Sequence, residues 1–252
     1  VDMIRTAIDG GVNYVDTAYP YHGGESERIV GKALENGYRE KVLLADKLPI
    51  WMVKKREDFP LILETQLERL TDEHIDLYLI HALNGERWKK TKELGILEEA
   101  ERARSEGKIG HIGFSFHDEY EVFSRIIDEY PGWEFCQIQF NLMDVSYQAG
   151  EKGLRKAAGR GIPVVVMEPL KGGLLAQPPA ASVAPLWQEF STGRDHIDLS
   201  LRYIWNRPEV STVLSGMSTP EQVRANLESA SRWHTGSVSE EEEELYRRIR
   251  EG

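Results

Sequence analysis

The chain has 252 residues, 40% of them hydrophobic and 29% charged, which suits one large α/β domain or two small ones. A formal net charge of -11 opposes a phosphate backbone and excludes general nucleic-acid binding. The single cysteine, Cys136, excludes an internal disulfide or a cysteine cluster for a metal, and no apolar run approaches the roughly 20 residues of a membrane helix. The first ten residues have helical rather than signal-peptide character, so the expected location is cytoplasmic with no membrane partner.

In chain order, Met3, Ile4, Ala7 and Ile8 form a helical stripe closed by Gly10 and Gly11. Residues 13–18 read as a short strand holding Asp16, a charge that burial makes costly. Pro20, Gly23 and Gly24 turn the chain sharply and hold Tyr19 and Tyr21 near that aspartate, with Glu25 or Ser26 starting a helix at about 25–36. A strand at 42–48 ends in Lys47-Leu48-Pro49, a helix spans about 57–70, and a strand at 75–81 ends on His81. The rhythm continues through helices at about 93–106, 118–130 and 150–160, each leading to a strand, at 111–116, 135–140 and 163–169. A long connection (170–194) and a helix near 195–206 precede a strand at 211–216. Thr219-Pro-Glu-Gln222 reads as a capping box for a helix at about 220–231, and Ser239 caps a final helix with an acidic start.

Strands alternating with helices imply a parallel sheet covered by helices. A doubly wound sheet prefers a Gly-x-Gly-x-x-Gly turn after its first strand, and the sequence has none. The expectation is therefore a (β/α)8 TIM barrel, residues 1–252 as a single domain. Seven strands are counted and the chain opens on a helix, so the first barrel strand is expected ahead of Val1.

In such a barrel, the C-terminal strand ends converge on one active face. Asp16, Tyr21, Lys47, His81, Ser115, Gln137, Gln139 and Glu168 stand at those ends. Lys47 ends the strand after Asp16 and is expected to neutralise it. An ammonium near a phenol favours the ionised ring, which makes Tyr21 a usable proton donor, with His81 orienting a carbonyl oxygen. No side chain supplies a hydride, so a nicotinamide cofactor is implied.

Asp16-Thr-Ala-x-x-Tyr21, Gly24-x-Ser-Glu-x-x-x-Gly-x-Ala-Leu34, Leu-Ala-Asp-Lys47-Leu-Pro and Asp76-Leu-Tyr-Leu-Ile-His81 together resemble the aldo-keto reductases. The branch most resembled often carries a C-terminal ferredoxin-like extension, and this chain stops before any such cysteines. The resemblance implies Asp16, Tyr21, Lys47 and His81 as a catalytic tetrad with Tyr21 as general acid. It also implies cofactor contacts at Ser115, Gln137, Met167, Glu168, Leu170, Gly172, Gly216, Ser218, Gln222 and Asn226. Phe116 replaces a usual asparagine, Met167 stands where an aromatic commonly stacks, and Gly216 and Gln222 replace the usual lysine and arginine. The expected cofactor is accordingly NADPH, or NADH, and the expected substrate is a small carbonyl compound. Trp51 is expected in the substrate-pocket wall.

Two other function classes compete. One is a nicotinamide-binding regulator or sensor on the same fold with little turnover. The other is a metal hydrolase using Asp16, His81 and Glu168, which the absence of close ligand spacing disfavours; no metal is expected.

Overall fold

The sequence alternation becomes, in this computed structural model, seven strands and eleven α-helices among the described residues, 1–190 and 192–252. Strand order follows chain order. Two compact units divide the chain, Val1–Gln137 and Ile138–Gly252.

The first unit contains α1 (Asp2–Asp9), β1 (Tyr14–Asp16), α2 (Ser26–Leu34), β2 (Leu43–Leu48), α3 (Asp58–Leu70) and β3 (Ile75–Leu83). It continues with α4 (Gly85–Glu93), α5 (Ile96–Ser105), β4 (Ile109–Phe116), α6 (Tyr120–Glu129) and the start of β5 (Phe135–Gln139). These strands pair in parallel, with Asp16 opposite Ala45, Lys47 opposite Leu79 and Ser115 opposite Gln137. Parallel strands are covered on both faces, so β2 and β3 read as near-continuous apolar runs. Leu44, Leu48, Leu79, Ile80 and Phe114 are wholly buried, each contributing about 1.5–3 kcal/mol of apolar burial.

Two local features differ from expectation. β1 spans three residues instead of six, although Thr17 N–H still donates to Ala45 O at 2.9 Å before Pro20 ends the pairing. α2 begins at Ser26 as expected, with no side-chain cap from Glu25; the Ser26 hydroxyl accepts from Thr17 Oγ1 at 2.9 Å. The helix expected at about 93–106 is α5, and a further helix, α4, precedes it, the two separated at Gly95 with φ +63°. α4 escapes pattern reading because it buries only Trp88 and Thr91 in a run of charges.

The second unit carries α7 (Gly150–Gly159), β6 (Val164–Met167), α8 (Ala184–Gln188), α9 (His196–Trp205), β7 (Val210–Val213), α10 (Pro220–Arg232) and α11 (Glu240–Glu251). α8 interrupts the expected 170–194 connection, whose residue 191 lies outside the described residues. Both expected caps form: Thr219 with Gln222 on α10, and Ser239 with Glu242 on α11. An aromatic cluster holds α9 and α11 together, Phe190 and Tyr203 lying 4.8 and 5.1 Å from Tyr246 between ring centroids. Beside it, Arg202 and Glu242 form a buried ion pair at 2.8 Å. No helix among the described residues is long and apolar enough to cross a membrane.

Gly31 on α2 faces the α3 backbone so closely that an added Cβ would overlap Leu70 O. Gly31→Ala should lower stability by about 2–4 kcal/mol, since backbone cannot yield as a flexible side chain does. Urea unfolding monitored by circular dichroism measures the loss.

Candidate active site

At the C-terminal end of β2, the Lys47 side chain has no exposed surface. Its Nζ donates to Asp16 Oδ1 at 2.5 Å and to Thr17 O at 2.7 Å. Burial pulls the ammonium pKa down, but Asp16 and neighbouring Tyr21 outweigh that penalty and hold it above the usual lysine value. Lys47 is therefore a permanent cation. Gln137 Nε2 donates to the other Asp16 oxygen at 3.0 Å, so the ends of β1, β2 and β5 meet on one carboxylate.

Tyr21 follows the β1 turn, its N–H donating to Ala18 O at 3.0 Å. His22, Gly23 and Gly24 then take φ values of +52, +67 and +91°, a run that glycine makes affordable twice over. This turn brings the Tyr21 ring centroid 4.9 Å from Lys47 Nζ and 5.9 Å from the His81 ring. Tyr19 is committed elsewhere: Arg69 lies over its ring at 4.1 Å and donates to its hydroxyl at 3.3 Å.

His81 is buried, and burial, followed by the Lys47 charge, pushes its pKa down to about 3. It is neutral at ordinary pH. Its Nδ1 has no hydrogen-bond partner among the described residues. The next residue, Ala82, sits at φ +54° at a register shift in the β3–β4 pairing, and its N–H donates to Ser115 Oγ at 2.7 Å. Ser115 thus supports a backbone conformation that costs on the order of 1 kcal/mol without help. Trp51 stands 5.0 Å from the His81 ring and is 40% exposed.

Behind Lys47, on the opposite face of β2, lies a polar cluster that the expectations did not include. Asp46, Glu27 and Gln66 are wholly buried. Gln66 Nε2 donates to Asp46 Oδ2 at 2.9 Å, to Lys47 O at 3.0 Å and to Glu27 Oε1 at 3.2 Å, while its Oε1 accepts from Tyr78 at 2.6 Å. Arg69 pairs with Glu27 at 2.8 Å. Burial, then the Glu27 charge, raises the Asp46 pKa well above the carboxylate range. The sequence signals only one member of it: Glu27 falls in step with Val30 and Leu34 on the buried face of α2.

The expected cofactor residues separate by unit. In the first, Ser115 and Gln137 are buried beside Asp16 and Ala82. In the second, Met167 ends β6, and Glu168 and Lys171 adopt φ +54 and +50° around Leu170. Gly172 and Gly173 follow at φ +61 and +92°, with open space where a Cβ would stand. Lys171 pairs with Asp144 at 2.5 Å, and Asp144 also accepts from Gln139 at 3.1 Å and Asn141 at 3.3 Å. Gln222 Oε1 accepts from the Ser218 and Thr219 N–H groups at 2.7 and 3.3 Å, and Asn226 donates to Ser215 Oγ at 2.9 Å. Gly216 has open space at its Cβ position.

Taken unit by unit, these groups suit parts of a nicotinamide dinucleotide. Ser115 accepts from Ala82 and retains a hydroxyl proton to donate to a carboxamide, and the glycine-rich turn after β6 leaves room for an anion to approach backbone. No group of three or more His, Cys, Asp or Glu among the described residues is placed to hold a metal ion.

A raised folded pKa means that native Asp46 holds a proton the unfolded chain releases, so its contribution to stability falls as pH climbs from about 4 toward the folded value. Asp46→Asn removes that dependence. Melting temperatures across about pH 4–8 should therefore shift in favour of the variant as pH rises; a constant difference would assign Asp46 an ionised state throughout.

The model of the family described as "Aldo/keto reductase family" matches residues 1–235. An NADH-specific methylglyoxal reductase of Escherichia coli is 26% identical, over 90% of this chain and 81% of its own. An L-galactose dehydrogenase of Arabidopsis thaliana is 27% identical over 90% of this chain and 76% of its own. Among solved structures, the holo form of an aldo-keto reductase from Bacillus halodurans superposes with a TM-score of 0.79 at 26% identity, over 98% of this chain and 85% of its own. The fold class is that of the (β/α)8 barrel, with seven parallel strands among the described residues. On sequence and fold together, the chain belongs to the aldo/keto reductase family of oxidoreductases.

Proposed function

We propose that the protein reduces a small aldehyde or ketone to the alcohol with NADPH, or NADH, using Tyr21 as the proton donor. The observation that carries this is the Lys47 ammonium, itself held by Asp16, 4.9 Å from the Tyr21 ring, with the His81 ring 5.9 Å beyond. A bound nicotinamide would supply the hydride for the carbonyl carbon. Tyr21 gives its phenolic proton to the carbonyl oxygen as negative charge develops there, and Lys47 stabilises the phenolate left behind. Neutral His81 donates a hydrogen bond that orients the same oxygen. Asp16 keeps Lys47 charged and in place.

Ser115 and Gln137 hold the carboxamide end of the cofactor in this scheme. Met167, Glu168, Leu170 and Gly172 line its path at the β6 turn, and Gly216, Ser218, Gln222 and Asn226 receive the adenosine phosphate. A helix start with free N–H groups suits that anion, although Gln222 already accepts from two of them. As part of the same proposal, residues 1–252 act as one barrel domain.

Methylglyoxal, the substrate in the name of the Escherichia coli relative, is the first compound to assay. Tyr21→Phe should lower kcat by 100-fold or more while leaving cofactor affinity within about threefold, because general acid catalysis of this kind supplies roughly 10²–10⁴ in rate. Unchanged turnover, followed by NADPH absorbance, would remove Tyr21 from its role.

The depressed His81 pKa sets a second expectation. An imidazole neutral down to about pH 3 produces no ionisation step near its usual value of about 6.5. The profile of kcat/KM between about pH 5 and 8 should lack such a step. A unit-slope limb near 6.5 that disappears in His81→Gln would show that His81 works as a titrating acid.

A further inference from the structure

Two cations attach to the aromatic residue beside His81. The Arg87 guanidinium lies over the Trp51 ring, 5.1 Å from its centroid, and donates to Ala82 O at 2.7 Å. Lys90 Nζ donates to Trp51 O at 3.4 Å. Among the described residues neither cation forms an ion pair with a carboxylate, whereas Arg39, Arg56 and Arg69 each hold one. In a chain of net charge -11, a cation held beside Trp51 and His81 without a carboxylate partner favours an approaching anion. The Arg87 charge reaches His81 electrostatically.

The geometry fixes where that charge stands. Trp51 is 5.0 Å from the His81 ring and Arg87 is 5.1 Å from Trp51, so the guanidinium lies at most about 10 Å from the imidazole that orients the carbonyl. Ala82 O and the indole face hold the guanidinium in place, and Asn84 Oδ1 accepts from Arg87 N at 2.8 Å to fix the α4 turn beneath it. Both Trp51 and Tyr21 are open to solvent, at 40 and 38% exposure.

Resting on the carbonyl-reduction reading above, we infer that Arg87, assisted by Lys90, selects carbonyl substrates that carry an anionic group a few carbon atoms from the reacting carbon. A guanidinium binds a carboxylate or a phosphate in a planar fork. The shared chemistry is an oxyanion tethered to an aldehyde or ketone, and Arg87 is a specificity determinant for it.

Two substrate pairs separate the sources. Succinic semialdehyde and butanal differ in a carboxylate; dihydroxyacetone phosphate and dihydroxyacetone differ in a phosphate. The native enzyme should show a kcat/KM about tenfold or more higher for the charged member of one pair, chiefly through KM, as expected for a charge-assisted contact. That preference should shrink as salt rises. Arg87→Met should cut the charged-to-neutral ratio about tenfold, and Arg87→Lys should keep part of it. A ratio near one in the native enzyme, or an equal loss on both members in Arg87→Met, would overturn the inference.

Succinate, titrated in the presence of NADPH and followed by tryptophan fluorescence beside Arg87, tests recognition without turnover. Succinate binding that Arg87→Met abolishes, with no carbonyl reduced, would support Arg87 and sink the reductase reading alone. Reduction of butanal that depends on Tyr21, with no charge preference and no succinate binding, would sink the inference alone.

Discussion

A lysine ammonium with no exposed surface dictates the arrangement around it. Its desolvation is tolerable only because Asp16 Oδ1 and Thr17 O accept its protons at 2.5 and 2.7 Å. That demand fixes the end of β1 against the end of β2. The second oxygen of Asp16 then takes Gln137 on β5, so one charge disposes residues that are 121 positions apart in sequence. Removing Asp16 would leave the buried ammonium with no carboxylate, which costs more than the pair contributes.

Burial first, and then the same charge, keeps His81 neutral. Burial and Lys47 act together on the imidazole, so beside Tyr21 stand a fixed cation and an uncharged hydrogen-bonding ring. Such a division suits a reaction in which an oxygen gains both electrons and a proton. The turn through His22, Gly23 and Gly24 supplies the remaining member by swinging Tyr21 over the ammonium while Tyr19 is tethered to Arg69.

Much of this was readable from residues alone. Strand ends announce themselves by a polar residue after an apolar run, and Asp16, Lys47 and His81 each follow that rule. The capping boxes at Thr219 and Ser239 likewise declare their helices through spacing. α4 was not legible, because its stability depends on a few buried contacts and an asparagine cap instead of an apolar stripe. The Asp46–Glu27–Gln66 cluster was equally hidden. Its members come from three separate elements, and no local pattern says that they meet. Arg87 was missed for the related reason that its site is defined by Trp51, far away in sequence.

Asp46 and Lys47 are neighbours in one strand, and alternation sends their side chains to opposite faces of the sheet. A slip of β2 by a single residue would exchange them. Asp46 would arrive against Asp16, two carboxylates in a buried space, and Lys47 would leave the site for the helix layer. Apolar strands tolerate such slips in misfolded states because both faces accept leucine and valine. Here the penalty of like charges singles out one alignment. The residues read as catalytic thereby proofread the assembly of the strand that carries them.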